Sequence, residues 1–281
     1  MDIEVFKPTR GLEGIVKIFI VLKSLDDIHK MIFLPDGGNF MIFNRGTDIN
    51  VKLYTEDDVY DIPSSYSVGF KTNKVKYIFD AKYKNKIDSF PMVIVELLPL
   101  GLFKLFNQDL SLVDYQYKEI DEEIVNTYFS DLYAHSNIEE DIKYLDKSLR
   151  KLEYSHNHSH FPLENVINRI ASDYHLEINV EDLLNEFNYS RSTLERHFKR
   201  MIGLTPKQFI YVSKFCRTLV EYINEKKTLG ELPYLYSDSS HMNSVFKKFL
   251  GVSPSEILSK VDDGEFKVFQ AHNLIVENRD I

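Results

Sequence analysis

The chain has 281 residues, long enough for two ordinary domains. Its composition, 43% hydrophobic and 27% charged, is that of a globular protein rather than a disordered or fibrous one. A net charge of -9 argues against an overall basic nucleic-acid binder. The single cysteine, Cys216, excludes an intramolecular disulfide and a Cys-based zinc cluster and fits a reducing, cytoplasmic setting.

The opening "MDIEVFKPTRGLEG" has no basic stretch followed by an apolar core, so no export segment is expected. The longest apolar runs are broken, one by Lys17 and the other by Glu96 and Pro99. Both fall short of the roughly 20 residues that span a bilayer, and no membrane partner is expected.

Residues 1 to about 115 read as β-rich. The runs "IVKIFIVLK", "MIFLPDGGNFMIFNRG", "VKLYTEDDVYDI" and "KVKYIFDAKY" are aromatic and β-branched, with Pro, Gly, Asn and Asp between them. Pro35 to Gly38 marks a turn. From Asp121 to Leu152 the period becomes helical. Ile138, Ile142, Leu145, Leu149 and Leu152 recur at spacings of 4, 3, 4 and 3, an a/d seam two heptads long. That seam fits an amphipathic helix packed on its own domain and equally a dimerisation helix.

A polar linker, 153–162, follows. Its alternating His156, His158 and His160 would share one face of an extended chain. No Cys or carboxylate cluster completes a metal shell, so no metal site is assigned. Residues 163–260 read as helical throughout, and 261–281 as a tail. The fold class expected is α+β: a β-rich domain with two following helices over 1–152, then an all-α domain over 163–260.

The all-α part contains a degenerate duplication. Val180 to Phe209 and Thr228 to Ile257 each run short helix, turn, second helix, Gly, then Ser/Thr-Pro. Phe198-Lys199-Arg200, Gly203 and Thr205-Pro206 match Phe246-Lys247-Lys248, Gly251 and Ser253-Pro254. Each unit reads as a helix-turn-helix. Ser190 is the expected N-cap of the first unit's second helix. Leu194 and Phe198 face inward, which turns Ser192, Glu195, Arg196 and Lys199 outward. Such a helix can enter a major groove, where Arg reads guanine and Glu accepts from cytosine. Between Asn188 and Arg217 seven Lys and Arg side chains, among them Arg191 as a further DNA-binding candidate, oppose Glu195 alone, a net charge of +6. Residues 1–165 carry -8. A helical bundle with a solvated basic face explains one such stretch, but not two units with matched Phe, Gly and Pro.

These residues resemble the AraC/XylS family of transcriptional regulators, over about Leu163 to Lys260. The resemblance implies two helix-turn-helix units joined by a long helix. In the first unit it implies Ser192, Glu195 and Arg196 at base-facing positions, with Lys199 and Arg200 near phosphate. The second unit departs from the family pattern. Its turn is shorter, Pro233 stands where a small helix residue is usual, and Ser244 stands where an Arg is frequent. Ser239, Ser240 and Asn243 remain as exposed base-reading candidates, with Lys247 and Lys248 as phosphate partners. Phe6-Lys7-Pro8, Leu34 to Gly46 and Val95 to Phe106 also resemble the sensor domain of one AraC-type subgroup.

The resemblance implies a DNA-binding transcriptional regulator, here expected to be an activator. It implies double-stranded DNA, a homodimer, RNA polymerase, and a small-molecule or protein effector at the amino-terminal domain; no cofactor is expected. The rival is a degenerate member that binds and modulates another regulator. No enzyme is expected: Cys216 lies in phase with Phe209, Val212 and Leu219 as a core residue, and no G-x-S-x-G, H-E-x-x-H or P-loop pattern occurs.

Overall fold

The computed structural model describes residues 3–22, 28–33, 39–44, 51–54, 59–62, 65–69, 75–79, 92–112, 118–135, 137–154, 163–173, 177–224, 239–263, 266–269 and 274–278. The Pro35–Gly38 turn, the histidines of the linker and the segment holding Pro233 lie outside the described residues.

The amino-terminal half is built on two antiparallel sheets. Among the described residues ten strands precede the helical half: β1 Ile3–Phe6, β2 Val16–Leu22, β3 Ile28–Phe33, β4 Asn39–Phe43, β5 Val51–Tyr54, β6 Val59–Ile62, β7 Ser65–Gly69, β8 Val75–Phe79, β9 Met92–Leu97 and β10 Lys118–Glu119. Two more, β11 Phe266–Phe269 and β12 Leu274–Asn278, come from the end of the chain. One sheet has the order β1-β2-β9-β4-β7-β10, the other β11-β12-β3-β8-β5-β6. The central strands β2, β4 and β9 are buried on both faces, apart from half-buried Lys17, so their sequences are apolar runs rather than alternations. Lys17 is paired at 2.6 Å with buried Glu96.

One face of the first sheet carries Phe19, Val21, Met41, Phe43, Val93 and Val95. Against it pack α1 Gly101–Phe106 and α3 Ile138–Tyr154. Ile142, Leu145, Leu149 and Leu152 of α3 are all buried in this core, with Ile138 packed at its margin. This corrects the expectation of a dimerisation seam: the 4-3-4-3 stripe is the sheet-facing side of an intradomain helix. Asp146, also buried, accepts from the Thr9 amide at 3.0 Å and the Thr9 hydroxyl at 2.5 Å, which ties the first loop to α3.

The helix expected from Asp121 is broken. A short α2, Glu122–Ile124, continues as a π-turn over Val125–Phe129, and Tyr133 stands at φ 71. Tertiary hydrogen bonds hold that left-handed residue. Its hydroxyl donates to the Phe43 carbonyl at 2.6 Å, and its amide donates to Asp141 at 2.8 Å.

The carboxy-terminal half is helical: α4 Glu164–Ala171, α5 Val180–Phe187, α6 Arg191–Ile202, α7 Pro206–Asn224, α8 Ser239–Leu250 and α9 Pro254–Asp262. Its core runs from Leu163 to Ile257 and includes Cys216. Within the expected tail over 261–281 the described residues include two strands. After α9 the β-branched and aromatic runs "FKVF" and "LIVEN" pair as a hairpin, and β12 continues the second sheet by pairing with β3. Among the described residues no helix is long and apolar enough to cross a membrane.

Candidate nucleic-acid interface

Local chemistry explains both units of the duplication. Asn179 caps α5 with a full capping box to Asp182, and Asn188 ends it at φ 53. Ser190 then caps α6, its Oγ accepting from the Thr193 amide at 3.2 Å, as the sequence led us to expect. Gly203 closes α6 at φ 85, and Gly251 occupies the same left-handed region at φ 78 after α8. Ser253 caps α9 with a capping box to Glu256, and Pro254 follows at the first helical position. The matched Gly and Ser/Thr-Pro are therefore one helix stop and one helix start, used twice.

Helix α7 holds the two units together. Phe198 of α6 and Phe246 of α8 are fully buried. Phe198 meets Phe209 at 5.6 Å between ring centroids, near the start of α7. Phe246 meets Phe215 at 5.4 Å and Tyr222 at 5.8 Å, further along it. Equivalent residues lie 48 apart in sequence, so the outward faces can be compared position by position.

On α6, Arg191, Ser192, Glu195, Arg196 and Arg200 are exposed and Lys199 is half-buried. Arg196 stands opposite the buried stripe of Leu194, Phe198 and Met201, at the middle of the outward face. On α8, Ser240, Asn243, Lys247 and Lys248 are exposed; the side chain of Ser239 lies outside the described residues. Two more positions of α8 are exposed: His241, which the sequence had not singled out, and Ser244, which stands where an Arg is frequent. The 48-residue offset puts Ser244 where α6 has Arg196. Its hydroxyl donates to the Ser240 carbonyl at 3.0 Å, so the donor is used inside the helix.

The +6 stretch is less concentrated than its sequence suggests. Arg191 pairs with Glu181 across the turn. Arg217 donates to the carbonyls of Asp173 and Ala171, and half-buried Lys214 lies near Asp173, Asp182 and Glu177. Burial lowers the Lys214 pKa while those carboxylates raise it, and burial is the larger effect. On α6 this leaves Arg196, Lys199 and Arg200 on or beside the outward face. Between Arg196 and Arg200 lies His197, whose buried Nδ1 has no hydrogen-bond partner among the described residues and whose ring meets Tyr189 edge-on at 5.7 Å. Burial first, then the Arg196 and Arg200 charges, hold its pKa below the usual 6.5.

A cleft of about 710 Å³ opens where the two halves meet. Leu98, Lys104, Glu164, Phe209, Cys216 and Arg217 are among the residues that line it.

Residues 183–260 match the family described as "Helix-turn-helix domain", which spans α6, α7, α8 and α9. Residues 183–260 therefore form a helix-turn-helix domain. A stretch of 117 residues is 27% identical to the Msm operon regulatory protein of Streptococcus mutans. It covers 41% of this chain and 42% of that protein, so the likeness spans less than half of the relative. A variant of apo ToxT from Vibrio cholerae superposes with a TM-score of 0.49 at 13% identity, over 90% of this chain and 99% of that one. The AraC-like transcriptional activator CuxR gives 0.29 at 10% identity, over 82% and 89%.

Proposed function

We propose that the protein is a sequence-specific DNA-binding transcriptional regulator of the cytoplasm. The observation that carries this reading is the pair of helices α6 and α8, each followed by a left-handed glycine and fixed by one joining helix, with outward faces of polar and basic residues in matching register. Phosphate contacts from Lys199, Arg200, Lys247 and Lys248 would set the register, with Ser192, Glu195 and Arg196 facing base edges. From the second unit Ser239, Ser240 and Asn243 would face bases, and Arg191 would stay with Glu181 at the entrance of α6. The work is binding, not bond-making.

Control would enter through the amino-terminal domain, 1–152, from a small-molecule or protein effector. The cleft between the halves has the volume of a ligand pocket. Activation through RNA polymerase and assembly of two copies belong to the same reading, the copies meeting through surfaces other than the α3 seam.

A mobility shift on genomic fragments tests it. Discrete complexes that survive competitor DNA and weaken steeply with salt are expected. Absence of any complex at low salt would favour the rival, a chain that binds another regulator instead of DNA.

A further inference from the structure

Helix α1 is short and faces both cores. Leu102 and Leu105 belong to the core of the amino-terminal half, whereas Leu100 and Phe103 belong to that of the carboxy-terminal half. The helix has no slack against the first sheet: a Cβ at Gly101 would stand 2.6 Å from the Ile15 carbonyl oxygen. Lys104 fastens the junction, donating to the Gly14 carbonyl at 3.1 Å and to the Glu164 carboxylate on α4. The turn that follows, Leu110–Leu112, packs on the end of α6, where a Cβ at Gly203 would meet the Leu110 carbonyl at 3.5 Å. Within this junction the Arg200 guanidinium lies over the Phe103 ring, 5.7 Å from its centroid.

Arg200 is four residues from Arg196, about 40° away around the helix axis. It therefore belongs to the outward half of α6 and yet is held by a residue of the amino-terminal half. Phe103 itself is 5% exposed, so the ring that meets Arg200 is buried in the junction.

We propose that α1 and the Leu110–Leu112 turn form a clamp that competes with DNA for Arg200. The inference rests on the DNA-binding reading above. While the ring holds the guanidinium, one phosphate contact is withheld; DNA that takes Arg200 loosens the junction. Because coupling is reciprocal, anything that tightens α1 against α6 weakens DNA binding by the same factor. An exposed cation–π contact of this kind corresponds to about a two- to fivefold change in affinity.

The experiment uses the full chain and a labelled random-sequence duplex, titrated over a range of salt. Phe103→Leu keeps an apolar side chain in the carboxy-terminal core and removes the ring. It should bind two- to fivefold more tightly, with a log–log salt slope steeper by about 0.9, one added phosphate contact. Adding Arg200→Ala should abolish the gain. Phe103→Leu with wild-type affinity and slope, while Lys199→Ala weakens binding, overturns the clamp and leaves the DNA reading intact. If Lys199→Ala and Arg200→Ala both bind like wild type, the DNA reading fails and the clamp with it. A second measurement does not depend on the leucine variant folding well. The chain has no Trp, so Phe103→Trp places a single tryptophan, excited selectively at the red edge, beneath Arg200. Saturating duplex should shift its emission, and unchanged emission at saturation overturns the proposal.

Discussion

Changing the side chains at positions 196 and 244 separates what the two units contribute. The offset that carries Phe198 onto Phe246 and Gly203 onto Gly251 also carries Arg196 onto Ser244. Both positions are exposed, so either substitution should alter stability by no more than about 0.5 kcal/mol. Arg196→Ala removes a planar donor from the middle of the α6 face. It should cost about 1–3 kcal/mol, roughly 5- to 150-fold, and relax preference at one base position. Ser244→Arg sacrifices the solvent-exposed bond from the Ser244 hydroxyl to the Ser240 carbonyl, and Arg has the higher helix propensity, so α8 should keep its length. The gain is a charge and a bidentate donor where α8 has neither. Selection from random duplex DNA by the wild type should return one sharp half-element and one degenerate stretch about a helical turn away. With Ser244→Arg the degenerate stretch should sharpen at one position, and affinity for every sequence should rise with a steeper salt slope. A second stretch that stays equally degenerate, while Arg196→Ala broadens the first, would show that α8 does not dock in the register of α6. An unchanged first half-element in Arg196→Ala would refute the register on α6 itself.

Leu145→Asp puts a carboxylate into a fully buried site against the first sheet, and should cost at least about 3 kcal/mol; its melting midpoint should drop by the same amount at every protein concentration, whereas a concentration-dependent drop would restore the dimer seam. Lys247→Ala should weaken binding to all sequences alike and flatten the salt slope, measured by mobility shift, and any change in the selected sequence would contradict a phosphate role. His197 binds its proton more weakly in the folded chain than in the unfolded one, so its contribution to stability is full above pH 6.5 and declines as pH falls below that value. His197→Gln should flatten thermal stability against pH in that acid window, and an unaltered profile would sink the assignment. Removing residues 264–281 takes β12 off β3, a pairing that runs from Leu274 opposite Phe33 to Asn278 opposite Ile28. The bared edge should promote self-association visible by light scattering, and a truncated chain with unchanged melting that scatters like the full chain would deny β12 that role.

What could be read from the sequence was whatever is local. The caps, the glycines at positive φ and the outward register of α6 each depend on a few neighbouring residues, and the expected Ser190 cap and the inward Leu194 and Phe198 recur in the structure. Tertiary choices were not legible in the same way. The stripe on α3 has the spacing of a coiled-coil seam, but spacing does not say whether the apolar partner is a second helix or the sheet of the same domain. Tyr133 could not be foreseen at positive φ, because the bonds that hold it come from Phe43 and Asp141, distant or on the next helix. Net charge misled for a related reason. Arg191, Lys214 and Arg217 count toward +6 in the sequence, yet two of them have partners on α5 or before it and the third is half-buried beside carboxylates.

The amino-terminal half holds the two units at different points, and this bears on how a signal could pass between them. The first unit is met by α1 and the turn after it, at the end of α6. The second is continuous with β11 and β12, which join β3 directly after α9. Between the units runs α7, 19 residues and about 28 Å long, locked at one end by Phe209 on Phe198 and further along by Phe215 on Phe246 and Phe249. Such a helix transmits tilt better than stretch, because its own hydrogen bonds resist extension. A shift of α1 relative to β3 would therefore rotate one outward face against the other while leaving their spacing nearly constant. Simultaneous entry into two groove segments about 34 Å apart along the duplex tolerates little rotation. On the DNA-binding reading proposed above, a small displacement at the junction would then change whether α6 and α8 can engage one duplex together.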